Sequence, residues 1–147
     1  MQTLDRPEIK KFKAEHIGLM NIKDKDKLIF KIPTLLEAYE KLGTSYTFVS
    51  DGKYLCTSGI IKYWEGVGEA WLVLSDDMDT SKKSICSIVK KYLDEMLSTE
   101  YKRIQATVKA DDDVHMRFIE WCGFRAETIL KKYGLEGADY YLYARVS

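Results

Sequence analysis

This 147-residue chain has few of the most reactive side chains, two histidines and three cysteines, but ten tyrosines. His115 is the histidine with chemistry in reach. It lies one turn into a segment led by Asp111-Asp112-Asp113, and histidine as a residue type titrates near neutrality and can act as a base. The other reading is a half-buried helix-start histidine bonded to a preceding carboxylate or backbone group. His16 has no partner within its own segment and is expected to be solvated. Two histidines so placed assemble neither a Ser-His-Asp triad nor a metal-ligand set, so no metal is expected. Cys56, Cys86 and Cys122 are odd in number and lack a Cys-x-x-Cys spacing. They read as reduced packing residues rather than a disulfide framework or zinc site.

The elements that must hold these residues follow from periodicity. In 111–125 three carboxylates precede Val114, Phe118, Trp121 and Cys122, spaced to share one helical face, and Gly123-Phe124 ends the run. The aspartates would cap this helix and oppose its positive end. Upstream, Asp79-Thr80-Ser81 offers caps for a helix to Leu97 in which Ile85, Ile88, Val89, Tyr92, Leu93 and Met96 recur at offsets of three and four. Glu69–Ser75 before it and Lys102–Lys109 after it read as strands, predicted to pair side by side in parallel. Tyr46–Ser50, the turn Asp51-Gly52 and Tyr54–Tyr63 make a hairpin signal, with Glu65–Gly68 as the next break. Nearer the N-terminus come a short strand in Pro7–Lys13, two helices at Ala14–Asn21 and Thr34–Leu42, and a polar connector at Asp24–Lys27. Pro33 is well placed at the start of the second helix. Arg125–Lys132 and Asp139–Val146 are the last strands.

Composition narrows the class. Residues 1–147 read as a single domain, long enough to bury roughly 68–70% of the unfolded surface. Cationic and anionic side chains cancel at 23 each, so no net field announces a nucleic acid. The apolar run Ala70–Leu74 is far below the roughly 20 residues that cross a bilayer, so no membrane segment is expected. Asp5, Arg6, Glu8, Lys10, Lys11 and Lys13 near the N-terminus argue against a signal peptide, and a soluble cytoplasmic protein is the expectation.

The element order (strand, two helices, three strands, helix, strand, helix, two strands), together with the helix closing on Gly123-Phe124, resembles the GNAT acyltransferases. The implied fold is α/β, in the α+β sense: a mixed twisted sheet flanked by helices. The resemblance implies a CoA pyrophosphate held at the start of the 81–97 helix by a Gly-rich loop, aligned with Ser81-Lys82-Lys83-Ser84-Ile85-Cys86. Every signature position there has changed. Ser84 and Cys86 are small, and Lys82 and Lys83 carry charge, so an anion is still conceivable; the plainer reading is an ordinary capped helix with solvated lysines. If acyl-CoA binds, Leu74, Ser75, Lys82, Lys83, Ser84, Ile85 and Cys86 are the contact residues. The family's Asn and its proton-donating Tyr align with Asp112 and Ile119, and isoleucine donates no proton. Tyr133, Tyr141 or Tyr143 would have to replace it, and Glu69 stands where some members place a general base. Glu69, His115 and Tyr133 are thus the catalytic candidates.

His115-Met116-Arg117-Phe118-Ile119 followed by Gly123, with Trp71 and Ser75-Asp76 upstream, is also similar to a small GNAT-like internal virion protein family of short-tailed bacteriophages. That resemblance implies a degenerate fold acting by protein binding in head assembly, with virion proteins as partners, virion or host cytoplasm as location and no cofactor. The alternative is a divergent acyl-CoA-dependent N-acetyltransferase using acetyl-CoA on a protein or small-molecule amine.

Overall fold

The protein is described by a computed structural model over residues 7–22, 32–78 and 82–147. Asp5, Arg6, the connector Asp24–Lys27 and the caps Asp79-Thr80-Ser81 lie outside the described residues. Seven strands form one mostly antiparallel sheet in the order β1-β2-β3-β4-β5-β7-β6. They are β1 (Glu8–Lys11), β2 (Gly43–Ser50), β3 (Lys53–Trp64), β4 (Val67–Leu74), β5 (Arg103–Lys109), β6 (Arg125–Leu130) and β7 (Tyr140–Val146). The helices are α1 (Pro33–Lys41), α2 (Lys82–Thr99) and α3 (Asp113–Trp121). As predicted, β4 and β5 run parallel, with Glu69 opposite Gln105.

The chain divides into two compact units, Met1–Ile61 with Trp71–Tyr92, and Lys62–Ala70 with Leu93–Ser147. In the first, β1 pairs with β2 and β2 with β3, all antiparallel. Asp51 and Gly52 both take positive φ, 51° and 76°, the backbone that a two-residue hairpin with right-twisted strands requires. Phe12, Ile17, Met20, Ile22, Ile61 and Trp71 form its core, with Leu36 and Tyr39 of α1 against them. Tyr39 stacks on Trp71 at 4.1 Å, and Phe12 meets the same indole edge-on at 5.1 Å. The predicted helix at Ala14–Asn21 is a shorter 3-10 helix, Ala14–Leu19.

In the second unit β7 lies between β5 and β6, antiparallel to both. Ile104, Ala106 and Val108 of β5 are buried alternately, as a strand with one core-facing side requires. Helix α2 buries Ile85 and Val89 in the first unit and Leu93 and Leu97 in the second, each contributing about 1.5–3 kcal/mol by leaving water.

Two expectations are corrected. The break at Glu65–Gly68 is only the turn Glu65-Gly66, because Val67 and Gly68 already pair with Arg103 and Ile104. In α3 the buried side is Ile119 with Cys122, while Val114 and Trp121 stay 47% and 51% exposed. Gly123 (φ 92°) lies against the Arg145 side chain. That guanidinium donates from Nη1 to the Cys122 carbonyl at 2.9 Å and to Asp94 Oδ1 at 2.5 Å, tying the end of α3 in place.

Candidate active site

Glu69 is half-buried on β4 in the second unit. The Tyr63 hydroxyl donates to its Oε1 at 2.7 Å, and Gln105 Nε2 reaches the same oxygen at 3.5 Å. The carboxylate is thereby oriented through one oxygen, leaving Oε2 with no donor among the described residues. Tyr133 follows β6 in a loop where the Lys132 N–H donates to Asp139 Oδ1 at 2.9 Å, and its ring meets that of Tyr140 edge-on at 5.5 Å. Tyr133 is 55% exposed; the covered part of its ring raises its pKa above the ordinary tyrosine value, the charge of Glu69 and then Tyr140 add to this, and a hydrogen bond with Thr107 opposes it. A raised pKa keeps the proton on the phenol. Of the three catalytic candidates, Glu69 and Tyr133 are thus placed so that the charge of the first bears on the second. Tyr63 and Gln105 were not anticipated from sequence.

The other tyrosines serve different ends. Tyr143 is buried and donates to Glu120 Oε2 at 2.8 Å; burial and that bond push its pKa up to about 12. Tyr141 lies 6.4 Å from the Tyr143 ring. Ile119 is buried, so the family's tyrosine position presents no acid. His115 remains at its own helix start: its main-chain N–H donates to Asp112 Oδ1 at 3.1 Å, making Asp112 the N-cap. Its Nδ1 sits 2.7 Å from Asp112 Oδ2, close enough for an ion pair but without hydrogen-bond geometry. The helix-start reading describes it.

In the first unit, Leu74 ends β4 half-buried, and Ser75 is buried with its N–H donated to the Leu55 carbonyl at 2.8 Å. The Ser75 hydroxyl donates to the Asn21 carbonyl at 3.3 Å and accepts the Asp77 N–H at 3.1 Å. Ser75 is thus occupied by its own chain. At the start of α2, Lys82 and Lys83 are exposed, Ser84 and Cys86 half-buried and Ile85 fully buried. Burial raises the Cys86 thiol pKa, with Lys82 opposing, so the thiol form prevails. Lys82, Lys83 and Ser84 are thus within reach of an anion, whereas Ile85 belongs to the core.

His16 is not solvated. It is 6% exposed, with Nδ1 2.7 Å from the Thr47 hydroxyl in a hydrogen bond and 3.2 Å from the Lys13 N–H. Burial, the largest influence, lowers its pKa; Glu15 opposes, Lys10 and Lys13 reinforce, and Glu40 opposes. A histidine depressed in the fold costs nothing above its unfolded pKa of about 6.5. As pH falls below that value the unfolded chain takes up a proton that the fold resists, and stability is lost toward the folded pKa. Urea unfolding should therefore show declining stability below about pH 6.5, with a shallower decline in His16→Gln. Equal slopes would refute this.

Among the described residues no group of three His, Cys, Asp or Glu is placed to hold a metal. No described helix is long and apolar enough to cross a membrane. No family model and no curated protein matches the chain. Solved structures do. A chimera of the Vibrio cholerae spermidine N-acetyltransferase SpeG and hSSAT has a TM-score of 0.70 at 14% identity, covering 95% of each chain. A GNAT-family acetyltransferase from Streptococcus pneumoniae has 0.66 at 14%, covering 96% of this chain and 99% of its own. A Bacillus subtilis acetyltransferase in complex with CoA has 0.71 at 13%, covering 97% and 99%. At such identities the likeness speaks for the fold. The virion resemblance of His115–Ile119 finds no support among these structures.

Proposed function

We propose that this chain, whose fold is that of the GNAT acyltransferases, is an acyl-CoA-dependent N-acyltransferase acting on an amine of a protein or small molecule. The observation that carries this reading is the carboxylate of Glu69, half-buried on β4 and held on one oxygen by Tyr63 and Gln105. Bound acyl-CoA would supply an acyl group as a thioester. Lys82, Lys83 and Ser84 would hold its diphosphate. Glu69 Oε2 takes a proton from the acceptor ammonium, directly or through a water, and exposes the nitrogen lone pair. Tyr63 and Gln105 keep that carboxylate from rotating away. Tyr133 holds a proton on its hydroxyl for a leaving group, the task that buried Ile119 cannot perform.

Replacement of the Gly-rich loop and of the family tyrosine is what speaks for a non-catalytic virion role. Tyr133 answers the second loss, and the solved neighbours carry acetyltransferase names. Calorimetric titration with acetyl-CoA, coupled to a thiol-release assay over a panel of amines, tests the proposal. Binding tighter than about 1 mM with acceptor-dependent thiol release is expected. No heat of binding and no release at that concentration would refute it.

A further inference from the structure

The hydrogen bonds that hold Glu69 continue past Gln105 to the β6 edge of the sheet, within the second unit throughout. On β5, Ile104, Ala106 and Val108 are buried, so Arg103 and Gln105 share the opposite face. Arg103 Nε donates to Gln105 Oε1 at 3.1 Å. Its Nη1 and Nη2 donate to Glu127 Oε2 and Oε1 at 3.0 Å and 2.7 Å. Glu127 is the bulged residue of β6, and bulges re-aim side chains.

The donor and acceptor types decide which way each group faces. Arginine only donates, so the Gln105 atom that meets it must be the carbonyl oxygen. The amide nitrogen is then left for Glu69, whose Oε1 lies 3.5 Å away and whose main chain is the register partner of Gln105. A flipped amide would set its oxygen against the Glu69 carboxylate and its N–H groups against the guanidinium, two repulsions in place of two bonds. Single surface ion pairs contribute little, but a two-pronged arginine–carboxylate bond does hold a side chain in one geometry. That bond raises the Arg103 pKa and lowers that of Glu127, so both partners stay charged.

We propose that Arg103 and Glu127 are positioning residues for Glu69: their fork fixes the Gln105 amide, and the amide keeps the Glu69 carboxylate turned so that Oε2 is left for the acceptor. The proposal rests on the reading of Glu69 as the base. NMR of protein isotope-labelled at glutamate and glutamine identifies the Glu69 carboxyl carbon by its loss in Glu69→Gln, and the Gln105 amide by its loss in Gln105→Leu. Both signals should move in Arg103→Met and in Glu127→Ala. They should stay in place in Arg117→Gln, which removes an exposed cation from α3. With acetyl-CoA and an amine acceptor, Arg103→Met should lower kcat about 10–100-fold, the scale of a misplacement by about 1 Å, with KM for acetyl-CoA unchanged. Arg103→Lys keeps the charge but not the fork, and should lose as much. In a Glu69→Gln background Arg103→Met should cost nothing further, because no base is left to orient. Unmoved Glu69 and Gln105 signals overturn the proposal, as does recovery of kcat by lysine or a deficit that persists without Glu69. Moved signals in a protein that releases no thiol support the relay of bonds and sink the acyltransferase reading alone.

Discussion

Replacing Glu69 with glutamine is expected to lower kcat/KM for acetyl transfer roughly 10²–10⁴-fold, the range ascribed to a positioned general base. The substitution is nearly isosteric, and Tyr63 can still donate to the amide oxygen, so the thermal midpoint should hardly move. An exposed or half-exposed change of this kind stays within about 0.5 kcal/mol. A merely structural role for Glu69 predicts the reverse, lost stability with activity retained per folded molecule. The pH profile separates the two cases further. As pH rises and more acceptor amine is already deprotonated in solution, the deficit of Glu69→Gln should shrink, because the proton that Glu69 would have taken is gone. Tyr133→Phe should keep its deficit under the same conditions. A Glu69→Gln enzyme with parental kcat/KM at neutral pH would remove Glu69 from the mechanism.

The largest effect on stability is expected from one methyl group at Gly59. This residue lies on β3 opposite Ser45. A Cβ there would stand 2.5 Å from the Thr44 carbonyl oxygen, 2.6 Å from Ser45 Cβ and 2.8 Å from Ser45 Cα. Two of those three atoms are main chain and cannot swing aside, so the strands would have to part. Overpacking of this kind costs about 3 kcal/mol, at the upper end of the usual range. For a chain of this size that lowers the melting temperature by about 6–12 °C. Gly18→Ala is the control, since a Cβ at Gly18 meets nothing within 4 Å. Thermal unfolding that fails to distinguish Gly59→Ala from Gly18→Ala would mean that the β2–β3 register is wrong.

Much of the fold was legible because it is written in local period and turn chemistry. The spacing of Ile85, Val89 and Leu93 marks α2, and Asp51-Gly52 marks the hairpin through the positive φ it tolerates. The buried side of α3 was harder to read. Val114, Phe118 and Trp121 form one apolar row, Ile119 and Cys122 another, and only packing decides which faces inward. The same limit governs the site. Glu69 and Tyr133 could be nominated singly, but the contacts with Gln105 and Thr107 arise from strand pairing and loop placement. His16 was misjudged for this reason: its partner Thr47 is 31 residues away, and no pattern within Ala14–Leu19 points to it.

Strand β6 closes one edge of the sheet, and a bare edge is a template on which further copies can assemble into fibrils. Between Ala126 and Thr128 the pairing with β7 shifts, so Glu127 is the extra residue of a bulge. Its carboxylate accepts two parallel bonds from Arg103, 3.0 Å and 2.7 Å long. An incoming strand would meet an interrupted repeat and a charge already committed to a neighbour. The bulge and its fork-shaped ion pair therefore act as a guard against self-propagating growth, useful to the protein whatever reaction it performs.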